Sequence, residues 1–182
     1  LQAGIDEKNW QTWREQAAAF GAGPADPVAV VDVGRQLLTL DFLTWFCSWP
    51  VSTAAAGVGS RSGSLRTPPG WHRVAARFGE GAALGRVFRS RKPAELVRTF
   101  DNADPSSDLI LTRILWLEGL ESGVNKGRGI DSKKRYIYIH GTNQEQLIGQ
   151  PTSHGCIRMR NRDVVDLFER TAGSDLWVLI LN

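Results

Sequence analysis

The sequence predicts a mainly β domain with a few helices at its periphery. Two observations carry this reading. Most apolar residues fall in short runs rich in Val, Ile, Leu, Thr and aromatics, bounded by Gly, Pro, Asn or Asp. Helical spacing is confined to one stretch near the N-terminus and one after residue 160.

Within residues 6–20, Trp10, Trp13, Ala17 and Phe20 recur every three or four positions and line up one apolar stripe. Residues 21–27 then break the helix with Gly, Pro and Asp. Residues 1–24 are therefore expected to form a helical arm packed on a domain spanning 28–182, because a lone helix of this length is marginal in water.

Val28–Val33 and Gln36–Leu40 read as two strands around Gly34-Arg35, a hairpin signal, and 45–54 as a third. Residues 55–64, rich in Gly and Ser, form a loop, and Thr67-Pro68-Pro69-Gly70 is a rigid turn ahead of a strand from Trp71. Residues 79–98 read as mixed loop and short elements. A strand is expected over 109–117, a long glycine-bearing loop over 121–134, and a β-prone run from Tyr136 that ends on His140, stopped by Gly141. Asn161 is expected to N-cap a helix with Asp163 in its first turn; Gly173 ends it, and 176–181 is a last strand.

Composition narrows the function. The chain has 182 residues, 42% hydrophobic and 23% charged, with seven tryptophans, enough to fill a sizeable core. A formal charge of +3 without a dense basic run gives no sign of a nucleic-acid binder. No run approaches the ~18 consecutive apolar residues of a membrane helix. The sequence begins at Leu1 rather than Met, which fits a trimmed form with an export signal removed. Of the two cysteines, Cys47 lies in the apolar run 42–47 and suits an inert thiol, so a Cys47–Cys156 disulfide is disfavoured.

Cys156 sits in a polar, glycine-flanked segment, Pro151-Thr152-Ser153-His154-Gly155-Cys156-Ile157-Arg158, sixteen residues after His140 (156 − 140 = 16). An unperturbed thiol is mostly protonated at neutral pH, so a nucleophilic cysteine needs a base beside it. The short connection lets the strand ending on His140 lie beside Cys156 at little loop entropy. Gly155 permits a sharp turn that exposes the sulfur and frees amides for an oxyanion, and Gly141 allows close approach at the imidazole. Two other readings stand beside this one: a buried structural thiol, and a zinc site of His140, His154 and Cys156, which lacks a fourth ligand nearby. No metal or cofactor is expected. His72, the remaining histidine, is expected at a strand edge.

His140 followed by Ser153-His154-Gly155-Cys156 resembles the signature of the L,D-transpeptidase catalytic domain, the YkuD domain. The opening hairpin with Gln36, Val51-Ser52-Thr53, Thr67-Pro68-Pro69-Gly70 and Gly149 are similar to further segments of that family, over about residues 28–181. The resemblance implies a sandwich-like β fold and an exported enzyme of the periplasm or cell envelope. Its partners would be peptidoglycan stem peptides, donor and acceptor. Such an enzyme cleaves a tetrapeptide donor before its terminal D-Ala, holds the remainder as a cysteine thioester, and passes it to an amine. Carried over, Cys156 is the nucleophile, His140 its base, and His154 a pocket former that stabilises developing charge. Amides around Gly155 and Cys156 are oxyanion donors, and Gly141 orients His140 through its carbonyl, with no side chain there to help. Arg158 would anchor a substrate carboxylate, unless it forms a surface salt bridge. Tyr138, two residues from His140 on the same strand face, and Ser153 complete the candidate substrate-binding set. The alternatives keep the nucleophile but use water, as a carboxypeptidase or endopeptidase, or link and release wall-attached proteins. A non-catalytic wall-binding module is disfavoured by the intact Cys156 and His140.

Overall fold

The computed structural model describes residues 7–42, 45–100 and 108–182. Ten strands are joined into one sheet: β1 (Val28–Asp32), β2 (Leu37–Asp41), β3 (Phe46–Ser52), β4 (Gly70–Phe78), β5 (Arg86–Arg89), β6 (Lys92–Leu96), β7 (Leu111–Gly119), β8 (Tyr138–Gly141), β9 (Ile157–Met159) and β10 (Trp177–Leu181). They lie in the order β4-β10-β1-β2-β3-β9-β8-β7-β5-β6, and β4 pairs again with β7. That second pairing closes the sheet into a barrel-like sandwich, with the β5–β6 hairpin attached outside the ring. Closure leaves β4 and β7 paired on both sides, which removes two edges open to non-native pairing.

Alternation along the strands sorts the residues. Ala29, Val31, Leu38, Leu40, Val51, Leu115, Leu117, Ile139, Ile157, Met159, Val178 and Ile180 point into the barrel. Helix α2 (Asn161–Arg170) packs on β7 and β8 and adds Val164, Leu167 and Phe168 to the same core. Helix α1 (Glu7–Ala19) lies against β1, where Trp10 and Ala17 cover Val28, Val30, Trp71, Trp177 and Leu179 on the outer face. Residues 1–6 of the expected arm lie outside the described residues.

One local expectation is sharpened and three are corrected. Residues 79–98 contain the β5–β6 hairpin, turned by Ser90 and Arg91, both at positive φ (49° and 65°), the geometry that matches strand twist in a two-residue turn. The strand carrying His140 begins at Tyr138, because Tyr136 ends the preceding loop in a left-handed conformation (φ 56°), and Gly141 belongs to the strand. Asn161 is the first helical residue of α2, not its cap; Arg160 takes the cap position without a side-chain bond. His72 is fully buried in β4 between β10 and β7, not at an edge. Its ring nitrogens bond Gly70 O and Ser132 Oγ at 2.9 Å each, and burial pushes its pKa down to about 4.

Candidate active site

The turn that presents Cys156 is braced by residues far apart in sequence. Gln36 donates to Thr53 Oγ1 and accepts from the Thr53 amide. Thr53 O accepts from Ser153 N, and Ser52 Oγ bonds Gln150 O and Thr152 Oγ1. Thr67 Oγ1 accepts from Ala54 N and donates to Gly155 O at 3.1 Å. Gly149 N donates to Val51 O. Gly155 itself stands at φ 127°, where a side chain would press on Arg66 O (3.3 Å) and Ile137 (3.4 Å). The scattered polar positions of the sequence thus form one scaffold under one turn.

β8 and β9 run parallel, pairing His140 with Arg158 and Ile139 with Ile157. Ile139 and Ile157 enter the core, so Tyr138, His140, Cys156 and Arg158 share the outer face. Cys156 lies one diagonal step from His140, ~8 Å between Cα atoms from strand spacing and rise. The sulfur packs at the margin of the Phe88, Ile114 and Tyr138 cluster, and the residue is half-buried. Its S–H donates to Tyr136 O (3.5 Å), and it accepts from Tyr138 N (3.4 Å). Burial pushes the thiol up to about 11, against weaker lowering by the Tyr138 amide and by the Arg158 and Arg135 charges.

His140 is buried, and its Nδ1 bonds Gly141 O at 2.8 Å. A carbonyl accepts only, so Nδ1 carries the proton and Nε2 is the open basic nitrogen. Burial lowers its pKa and keeps it neutral at neutral pH. Among the described residues no hydrogen bond joins Nε2 to the sulfur; both groups rest uncharged, one step apart on one face. Gly141 is required sterically: a Cβ there would meet Asn161 Oδ1 at 2.4 Å and Leu111 O at 2.8 Å. Asn161 is locked in place by Thr112 Oγ1, Thr142 O and Glu145 Oε1.

Arg158 is 1% exposed, which excludes a surface salt bridge. Its Nη1 donates to Gln144 Oε1 (2.9 Å) and its Nη2 to Asp108 Oδ2 (2.5 Å), while the buried Nε has no partner among the described residues. His154, whose side chain is 65% exposed, bonds the same Asp108 oxygen at 3.2 Å. Asp108, Gln144, Gln146, Leu147, Thr152, His154 and Arg158 line a cleft of about 370 Å³.

Tyr138 is buried, and its hydroxyl accepts from Arg91 Nη1 (3.0 Å) at the tip of the β5–β6 hairpin. The Arg91 guanidinium also lies over the rings of Trp116 and Tyr136, which stack on each other. On another side, Arg135 donates to Gly59 O and Arg66 O, and its charge opposes the rise of the Cys156 thiol's pKa.

Two expected roles are corrected. Ser153 is 1% exposed, and its hydroxyl donates to Cys156 O (2.6 Å) and accepts from Gly155 N (3.2 Å), so it braces the turn and has no surface for a ligand. That second bond also occupies the Gly155 amide, which is no free oxyanion donor. Both cysteines are free thiols, and Cys47, half-buried against the core, is raised in pKa by burial. Among the described residues no group of three His, Cys, Asp or Glu is placed to hold a metal. Sequence reasoning missed Asp108, Gln144, Arg91 and Arg135, which sit in loops and turns without a motif. Only the Pro-Ser-Ser-Asp run before a strand hinted at a polar loop end.

Residues 26–180 match the L,D-transpeptidase catalytic domain, YkuD. Over 44 residues the chain is 50% identical to the L,D-transpeptidase-family protein YqjB of Bacillus subtilis, which is 22% of this chain and 25% of that one. Over 34 residues it is 56% identical to YkuD of Bacillus licheniformis, 19% of this chain and 21% of that one. These matches span a quarter or less of the relatives' length. Among solved structures, the helical cell shape determining protein Pgp2 from Campylobacter jejuni aligns over 92% of this chain and 54% of its own, with TM-score 0.52 and 13% identity, a likeness of fold. An L,D-transpeptidase from Mycobacterium smegmatis aligns over 87% and 59%, with TM-score 0.49 and 14% identity. With the family match running from before β1 into β10, the chain belongs to the L,D-transpeptidase catalytic domain family.

Proposed function

We propose that this protein is a peptidoglycan L,D-transpeptidase that forms cross-links through a Cys156 thioester on tetrapeptide stems. The observation that carries the reading is a thiol and an imidazole on one outer strand face, with the far ring nitrogen anchored to Gly141 O so that Nε2 is basic. In this reading residues 28–182 are the catalytic unit, the 1–24 arm supports it from outside, and the protein works outside the cytoplasm, where its substrate lies.

Because the thiol rests at about 11 and burial holds the imidazole neutral, a resting thiolate–imidazolium pair is disfavoured. The nucleophile forms as the donor carbonyl arrives. Sγ attacks the carbonyl preceding D-Ala while its proton passes to His140 Nε2. The oxyanion meets the Cys156 amide, the Gly155 amide being taken by Ser153. His140 then protonates the departing D-Ala nitrogen, leaving the thioester. An acceptor amine attacks that thioester, and the sulfur recovers a proton.

Incubation with purified tetrapeptide stems, read by mass, tests this. A cross-linked dimer, absent with Cys156→Ala, is expected. A shortened monomer alone would favour the hydrolytic alternative, and an unmodified protein with intact stems would sink both. A carbapenem is expected to leave a covalent adduct on Cys156, a cheaper probe of the same sulfur.

A further inference from the structure

We infer that the loops 55–66 and 121–136 form a docking surface for an anionic phospholipid membrane, with Cys156 at its edge. The inference goes beyond the transpeptidase reading and does not rest on it.

The charge of the chain is unevenly placed. These loops hold seven basic residues against two acidic ones, Glu121 and Asp131. The remainder, with 15 basic (22 − 7) and 17 acidic (19 − 2) residues, is net negative. Folding joins the two loops: Ser62 N donates to Gly129 O (2.7 Å), and the Arg135 guanidinium bonds Gly59 O and Arg66 O. Arg61, Arg66, Lys126, Arg128 and Lys134 are exposed, and among the described residues none of them enters an ion pair. The two acids turn to the backbone instead, Asp131 accepting from Lys134 N and Glu121 from Trp71 N. Exposed cations gathered without acids call for an anionic partner.

A second observation selects the kind of anion. Of the seven exposed large hydrophobic side chains among the described residues, three stand on these same loops: Leu65, Val124 and Tyr136. Leu65 is 53% exposed in a left-handed conformation (φ 56°), which is strained for a bulky residue. The chain is bonded on both sides of it, Ser64 N to Arg61 O and Thr67 N to Gly57 O, so Leu65 is presented by an ordered loop. A soluble polyanion would meet the cations and leave these apolar tips in water. A lipid surface takes both: headgroup phosphates receive the cations, and the acyl boundary receives Leu65 and Val124, with Tyr136 at the interface. Among the described residues no helix is long and apolar enough to cross a membrane, and a surface contact requires none.

This surface reaches the nucleophile. Tyr136 O accepts from Cys156 Sγ, and a side chain at Gly155 would press on Arg66 O. Docking therefore sets the thiol beside the lipid headgroups.

Sedimentation with vesicles tests this, comparing phosphatidylcholine alone with phosphatidylcholine mixed with phosphatidylglycerol. The wild type is expected to bind only the mixed vesicles and to be released as ionic strength rises. Arg128→Gln and Lys134→Gln should each weaken binding about fivefold. Leu65→Gly suits the left-handed backbone, so its thermal midpoint should hold or rise while vesicle affinity falls about tenfold. Inorganic polyphosphate is the counter-probe, and the wild type and Leu65→Gly should respond to it alike. No binding to mixed vesicles at low salt, or binding indifferent to Leu65 and to both charges, overturns the proposal. Tight polyphosphate binding without vesicle binding overturns it in favour of a soluble polyanion. Cys156→Ala should bind vesicles as the wild type does, so the outcome is read whether or not acyl transfer occurs; a loss there would move the contact from the loops to the thiol and overturn the assignment.

Discussion

At the scale of single residues, the chemistry turns on where protons rest. Cys156 is held as a thiol by burial, with a folded pKa of about 11 against an ordinary 9.0. The stability this confers is fully present below pH 9 and is lost as pH rises through 11, where the unfolded chain ionises first. Alkylation by a small reagent is therefore expected to be slow at neutral pH and to climb only above pH 9, tracked by thiolate ultraviolet absorbance. A thiolate already formed at pH 7 would contradict the resting state described here. Enzymatic acylation should behave differently, since His140 supplies the base. Its pKa lies below 6.5, so the acid limb of donor acylation falls below that pH, and His140→Ala should abolish turnover while leaving the fold. Gly141 shows how close the tolerance is. Gly141→Ser drives its Cβ onto Asn161 Oδ1 and Leu111 O, and about 1–3 kcal/mol of destabilisation is expected from overpacking. Chemical denaturation measures that loss; an unchanged midpoint would mean that Asn161 yields freely.

At the scale of elements, legibility followed periodicity. The opening hairpin, α1, β7 and β10 were readable because alternation or a three-to-four spacing matches one buried face. The β5–β6 hairpin was not, because its second strand is mostly exposed and Ser90-Arg91 lacks the Asn-Gly signal for such a turn. Asn161 misled for the opposite reason: it has the chemistry of a cap but uses it on Thr142 O and Glu145 across the fold. The nucleophile segment was legible through its local spacing, whereas Asp108 and Arg135 acquire their roles only when loops fold back. β4 carries a prediction of its own. His72 cannot charge inside the sheet, so stability is present above pH 6.5 and lost as pH falls through about 4, by about 3 kcal/mol. Urea midpoints measured down this range should fall for the wild type and fall less for His72→Gln. Parallel curves would assign acid sensitivity elsewhere.

At the scale of the whole molecule, closure of the barrel separates support from chemistry. Around the ring, β10 and β1 stand opposite β9 and β8. Helix α1 covers the first pair from outside, while the thiol and imidazole face outward from the second. Between them lies one core of Val, Leu, Ile and Met side chains with α2 packed into it, while α1 packs on a separate cluster outside the barrel. Trp10 anchors α1: it is 5% exposed and packs edge-on to Trp13 and against Phe46. Trp10→Ala should destabilise the protein by about 3–5 kcal/mol, the usual range for emptying a buried aromatic site. Because that defect opens on the far wall, the rate of Cys156 acylation per folded molecule should stay near the wild-type value. Calorimetry and the acylation assay, run on the same preparation below the unfolding transition, separate the two effects. A parallel fall in stability and in acylation rate would mean that α1 sets the geometry of β8 and β9 across the barrel, and that the arm belongs to the catalytic unit rather than supporting it.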